Sequence, residues 1–312
     1  MEKNQTTATI LMVRPANFGF NTETAANNAF QVNDTSMSVA EIQQKAIAEF
    51  DNFVNILRGH GVQVIVAEDS VSPVKTDAVF PNNWITSHGD GTLVLYPMNA
   101  PSRRLERDEA IIKLIENQFV VKRHLHLEHY EEVNTFLEGT GSMILDRVHD
   151  ICFACLSPRT DLGLLDEWCE IMHHKRVAFH AVDGNGQDIY HTNVMMALGE
   201  TFVVICLETI HDDAEKHNLL KHFERTDKAI IDISLDQMML FAGNMLQVRN
   251  DNNETFLMMS KQAHDSLSDT QIAHIQTHTK IVFADIKTIE TYGGGSARCM
   301  MAELFFDKKG AN

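Results

Sequence analysis

Five short polar corners recur along the 312-residue chain, each followed by an apolar strand, a polar turn and a second apolar strand. They centre on Asn83, Ser142, Asn193, Asn244 and Ser296, spaced by 59, 51, 51 and 52 residues. Near-equal spacing of five corners constrains the fold more than any other feature. A unit of about 50 residues with two strands and a helix cannot bury its own apolar face, so several must pack around a common centre. Helical stretches lie between the strand pairs. Ser38 to Glu41 has the form of a capping box, with Ile42, Ala46, Phe50, Phe53, Val54 and Leu57 at helical spacing and Gly59 near the stop. Arg103 to Phe119 and Asp161 to His174 read as further amphipathic helices, and His88–Gly91 and Arg249–Glu254 as hairpin turns. No linker or compositional break divides the chain, so the expectation is one α/β domain over residues 1–312.

Charge narrows the partners. With 26 Lys+Arg against 43 Asp+Glu the formal net charge is −17, a field that repels nucleic-acid phosphates and anionic lipid. Apolar runs such as Phe202–Leu207 fall far short of the roughly 20 residues that span a bilayer. The N-terminus shows no basic n-region or long apolar run, which argues against a secretory signal. Five cysteines spread over the chain read as reduced thiols rather than a disulfide framework. The expectation is a cytoplasmic protein that binds a small molecule, with no nucleic-acid or membrane partner. Oligomeric state stays open, a homo-oligomer included.

The segment Gly293-Gly294-Gly295-Ser296-Ala297-Arg298-Cys299 is the least ordinary stretch. Glycines let backbone pass close to a ligand, and the loop delivers a thiol at the start of an apolar strand beside a cation. No Gly-Lys-Ser/Thr follows, so it is not a phosphate loop. A nucleophilic cysteine needs a base, usually histidine. Among 16 histidines, His191 stands out because it occupies a repeat corner, after the turn at Asp183–Gly186. If the units are equivalent, their corners face one axis and His191 shares a mouth with Cys299. Glu138, at another corner, could orient the imidazole or hold a substrate nitrogen.

These motifs resemble those of the guanidino-group-modifying superfamily, which includes arginine deiminases, dimethylarginine hydrolases and amidinotransferases. The resemblance runs from Met12-Val13-Arg14-Pro15 to Cys299 and is strongest to the amidinotransferase-like subgroup assigned as citrulline hydrolases (ureidases). It implies the pentein fold, a five-bladed α/β propeller with pseudo-fivefold symmetry, in agreement with the five corners. It also implies Cys299 as nucleophile, His191 as general acid/base and Glu138 as the acid that orients the histidine or binds substrate. Asp77 and Phe80 match positions lining the substrate pocket. Arg103 and Arg159 match arginines that grip an α-carboxylate, with Arg104 a neighbour that could replace Arg103. No metal or organic cofactor is required.

Members acting on arginine-like substrates usually carry an acid where Asn83 stands, and many have His-x-Asp where this chain has His191-Thr192-Asn193. A guanidinium offers only donors, whereas a ureido group is neutral and has a carbonyl acceptor as well. Amides at Asn82, Asn83 and Asn193 therefore point to a ureido amino acid such as citrulline, although asparagine also caps turns. The expected reaction is hydrolysis of citrulline to ornithine, ammonia and carbon dioxide through a thiocarbamoyl-type intermediate on Cys299. Deimination of arginine or methylated arginine, amidino transfer, and a non-catalytic binding role on the same fold are the alternatives. Cys152-x-x-Cys155 lies in an apolar strand, where residues three apart face opposite ways, so zinc or redox pairing is disfavoured. The polar loop carrying Arg14, Asn17, Asn21 and Glu23 reads as solvated, with a pocket cover as the alternative.

Overall fold

The computed structural model describes residues 3–26 and 28–310. Its strands are β1 (Thr9–Arg14), β2 (Gln63–Glu68), β3 (Ile85–Ser87), β4 (Thr92–Leu95) and β5 (Arg123–His126). They continue as β6 (Ile144–Asp146), β7 (Ile151–Cys155), β8 (Lys175–Phe179), β9 (Met196–Leu198) and β10 (Phe202–Ile205). The last are β11 (Ala229–Asp232), β12 (Leu246–Arg249), β13 (Thr255–Ser260), β14 (Lys280–Ala284) and β15 (Ala302–Glu303). These form five three-stranded sheets with one recurring plan. In β3-β4-β5 the first pair is antiparallel, with Ile85 opposite Leu95, and the second parallel, with Leu93 opposite His124. The β6-β7-β8, β9-β10-β11 and β12-β13-β14 sheets repeat it. The fifth sheet joins the two ends of the chain: β15 pairs antiparallel with β1, and β1 runs parallel to β2. Five sheets of one plan make the five-bladed α/β propeller that the corner spacing implies.

Each parallel step needs a crossover, and helices supply it on the outside. Val39–Gly59 begins at a capping box between Ser38 and Glu41 and buries Ile42, Ala46, Phe50, Phe53, Val54 and Leu57. Phe50 and Phe53 are fully buried, each stabilising by about 1.5–3 kcal/mol. The expected helix from Arg103 to Phe119 is in fact two, Pro101–Arg104 and Glu109–Gln118. The Asp108 carboxylate caps the Ala110 N–H and starts the second helix afresh, while Arg103 turns inward to bind Glu106. Among the described residues no helix is long and apolar enough to cross a membrane.

The antiparallel strand of each blade enters from the inner ends of the sheets. All five corner residues there, Asn83, Ser142, Asn193, Asn244 and Ser296, are buried. The corners are contiguous: Asn244 Nδ2 donates to the Asn193 carbonyl at 2.9 Å, and Thr192 Oγ1 to the Ser142 carbonyl at 2.5 Å. Polar side chains clustered in a core must satisfy one another. Where they do not, a polar atom is left for something else.

Candidate active site

Cys299 is delivered by the helix Lys287–Gly293 and the glycine turn after it. Gly294 ends that helix at φ +62°, a left-handed conformation that favours glycine. Its carbonyl turns toward the cleft and accepts from Tyr190 Oη at 2.8 Å and from Asn28 Nδ2 at 3.2 Å. The chain then folds back so that the Cys299 N–H meets the Ser296 carbonyl at 3.0 Å. Cys299 is only 4% exposed. Two amides point at its sulfur: Asn193 Nδ2 lies at 3.4 Å and Asn244 Nδ2 at 3.3 Å.

His191 and Glu138 meet as the corner geometry implies. The imidazole Nε2 lies 2.7 Å from Glu138 Oε2, and both residues are buried. Glu138 Oε1 accepts the Asn99 backbone N–H at 2.9 Å, and Arg159 Nη1 lies 3.5 Å from Oε2. Burial would raise the Glu138 pKa, but Arg159 and the hydrogen bond from His191 outweigh it and hold the carboxyl at about 2. Burial lowers the His191 pKa to about 4 despite the carboxylate. At neutral pH the pair is thus a carboxylate and a neutral imidazole. The proton sits on Nε2, facing its acceptor, and leaves Nδ1 with the free lone pair.

A narrow cleft adjoins this group, lined by Asp77, Phe80, Asn83, Arg103, Arg159, Tyr190, His191 and Cys299. Asp77 Oδ2 accepts from Asn21 Nδ2 at 2.8 Å and from Thr24 Oγ1 at 3.2 Å, while its Oδ1 is buried without a partner. Burial raises the Asp77 pKa against the pull of Arg103. Arg159 lies over the Tyr190 ring at 4.8 Å and donates to the Thr24 carbonyl at 3.2 Å. The amide of Asn83 is oriented without ambiguity: its Oδ1 accepts from Arg103 Nη1 at 2.8 Å, and a guanidinium only donates. Asn83 Nδ2 is therefore the free end, buried and unpartnered. A methyl on Gly141 would lie 2.3 Å from it and 2.8 Å from the His191 ring, so glycine is what lets amide and imidazole close on each other.

Three expectations need correction. Neither Asn82 nor Asn193 lines the cleft: the Asn82 amide is buried without a hydrogen bond and its carbonyl accepts from Thr140 Oγ1 at 3.2 Å, while Asn193 Nδ2 reaches the Cys299 sulfur instead. Arg103 lines the cleft but is already engaged, by both Glu106 carboxylate oxygens at 2.9 Å, by Asn83, and by the Phe80 carbonyl at 3.1 Å. Arg104 instead donates to the Met98 carbonyl at 3.0 Å and lies outside the cleft lining. The loop after β1 is not simply solvated, because Asn21 reaches Asp77 and Glu23 accepts from the Ser102 N–H at 2.9 Å. Sequence reasoning missed Asn244, Glu106, Thr24, Asn28 and Tyr190 as neighbours of the site. Only Asn244 carried a signal, its place among the corners.

The fold recurs in solved structures. ArgZ, an arginine dihydrolase from the ornithine-ammonia cycle in cyanobacteria, superposes over 95% of this chain with a TM-score of 0.74 at 17% identity. The chain spans 40% of full-length ArgZ and 97% of its N-terminal domain, where the TM-score is 0.72 at 16% identity. Dimethylarginine dimethylaminohydrolase, as an adduct with S-methyl-L-thiocitrulline, matches over 95% of this chain and 99% of its own, with a TM-score of 0.64 at 14% identity. Such identities establish the fold alone. No protein of curated function matches the chain significantly. The family model described as N,N dimethylarginine dimethylhydrolase, eukaryotic, matches residues 14–306, nearly the whole propeller, and the chain belongs to that family of guanidino-group-modifying enzymes.

Proposed function

We propose that the protein is a cysteine-dependent hydrolase that cleaves a C–N bond of a ureido amino acid, citrulline being the substrate that fits best. Asn83 carries this reading. With its oxygen committed to Arg103, it offers the cleft an N–H beside His191. A guanidinium would meet that donor with donors of its own. A ureido carbonyl accepts from it, and the bond strengthens as the oxygen gains charge in the tetrahedral intermediate. Asn193 stands outside the cleft lining and serves the nucleophile instead, its Nδ2 3.4 Å from the Cys299 sulfur. At the other end, the free Asp77 oxygen suits an α-ammonium and Arg159 an α-carboxylate.

The reaction then runs through Cys299. His191 Nδ1 takes the thiol proton, and the thiolate sulfur attacks the ureido carbon while the carbonyl π electrons move to oxygen. Collapse breaks a C–N bond, and His191 returns the proton to the departing nitrogen. Water attacks the thioester-like carbon, His191 takes its proton, and the thiolate leaves. For citrulline the sum is one water consumed and ornithine, ammonia and carbon dioxide released, the carbamate decomposing outside the protein.

A second reading is a guanidino substrate. The match to a dimethylarginine hydrolase family model favours it, as does likeness to an arginine dihydrolase. A substrate panel separates the two. Ornithine from citrulline, with a Cys299→Ser variant inactive, supports the ureidase. Citrulline formed from arginine or a methylated arginine, with no turnover of citrulline itself, overturns it.

A further inference from the structure

Asn244 belongs to a different blade from Cys299, His191 and Glu138, and no motif of the family reading assigns it a role. It is 1% exposed, and every polar atom of its amide is spoken for. Oδ1 accepts the Arg298 backbone N–H at 3.0 Å. A backbone amide can only donate, so the orientation is settled: Nδ2 is the end that donates to the Cys299 sulfur, while Oδ1, 3.6 Å from it, accepts from the thiol before it ionises. One Nδ2 hydrogen goes to the Asn193 carbonyl at 2.9 Å and the other to the Cys299 sulfur at 3.3 Å. Asn244 thus grips both neighbours of the nucleophile: the Arg298 amide before it in the chain and the Asn193 corner that supplies the second donor to sulfur at 3.4 Å.

The chemistry gives this arrangement a direction. A thiol is a weak acceptor and a thiolate a strong one, and hydrogen bonds to ionised groups are the stronger kind. A donor held in place before ionisation costs nothing to reorganise when charge appears. We propose that Asn244 is a catalytic residue, whose fixed amide N–H, together with that of Asn193, stabilises the Cys299 thiolate before attack. It rests on Cys299 as nucleophile but not on the identity of the substrate. The pair comes from adjacent corners, so pseudo-symmetry places two equivalent donors on one atom.

The test reads the thiol directly. The rate of Cys299 alkylation by iodoacetamide is followed against pH for the full-length protein and for Asn244→Asp, Asn244→Ala and Asn244→Ser, with Cys299→Ser as the blank and thermal melting as the check on folding. We expect the midpoint of the alkylation profile to move upward by at least one pH unit in Asn244→Asp, which replaces the donor by a carboxylate, and by less in Asn244→Ala. Asn244→Ser, which keeps a hydroxyl donor, recovers part of the shift. Turnover at pH 7 falls at least 30-fold in Asn244→Asp. A profile superimposable on that of the parent in any folded variant overturns the assignment. Because alkylation needs no substrate, that failure is distinct from a substrate panel that rejects citrulline.

Discussion

Replacing Asn83 by aspartate changes one heavy atom of the cleft and nothing of its shape. One carboxylate oxygen keeps the 2.8 Å contact with Arg103 Nη1, so the other must stand where Nδ2 now stands, an acceptor in place of a donor. For a ureido substrate this removes one buried hydrogen bond and sets two oxygens against each other. A buried partner lost costs about 1–3 kcal/mol, and about 1.4 kcal/mol is tenfold in rate, so kcat/KM for citrulline falls roughly 10- to 100-fold. For a guanidinium the same oxygen becomes a charge-assisted acceptor worth about 1.5–3 kcal/mol. The citrulline-to-arginine preference therefore shifts by roughly 10²–10⁴. Steady-state ornithine release gives the first number, and calorimetric binding of arginine and citrulline in a Cys299→Ala background gives the second. Asp77 and Glu106 lie close by and are both pushed upward by burial, Glu106 to about 7, so measurement at pH 8 keeps the new carboxyl ionised. A preference changed less than threefold, in a variant that melts like the parent, would refute the role given to the Asn83 amide.

Three further outcomes follow from the geometry. Glu138→Gln preserves shape but offers His191 Nε2 an N–H, which favours the tautomer with its proton on Nδ1 and removes the base; kcat falls by about 10³–10⁴ with little change in KM, measured by steady-state kinetics. Gly141→Ala drives a methyl into Asn83 Nδ2 and the His191 ring, so kcat/KM falls at least about 100-fold while circular dichroism stays unchanged. Glu290, buried beneath Ser296, accepts its hydroxyl at 2.6 Å and is pushed up to about 7 by burial. Between its ordinary value of 4.5 and 7 the folded protein keeps a proton that the unfolded chain has lost, so stability drops as pH rises through that window. Glu290→Gln should remove the loss, gaining on the order of 1–3 kcal/mol over the parent at pH 8 and nothing at pH 4.5 in urea melts; an equal gain at both ends would show that the carboxyl does not titrate there.

Features written into the sequence as periodicity survive in the structure. The helix Val39–Gly59 buries the six residues its spacing selects, and the five corners become one buried cluster because equal units must meet at a common centre. Cys299, His191 and Glu138 could be read from the same corners, since a residue's place within its unit sets its place in space. Contacts between units have no such local signature. Arg103 looks like a free cation at the head of a helix, yet Glu106 three residues on captures it and the helix breaks. Asn82 and Asn83 are chemically identical neighbours, and only the contact with Arg103 shows which amide faces the cleft. Asn21 and Asn28 sit in an aperiodic polar loop, and their partners, Asp77 and Gly294, lie 56 and 266 residues away.

The corners also explain how one scaffold can exchange substrates. Each presents a short side chain at the same place in its blade, and each does something different there. Ser142 holds the Glu138 N–H and the Arg159 carbonyl. Asn193 and Asn244 reach the sulfur, Asn83 turns a donor to the cleft, and Ser296 meets Glu290. None of these contacts builds a sheet, because the strands are paired and the helices packed without them. An amide can therefore become a carboxylate, or the reverse, at the cost of one buried polar contact rather than of the fold. Charge complementarity to a guanidinium or a ureido group is then set at the corners and fold stability in the blades, so substrate preference can change while the propeller stays the same.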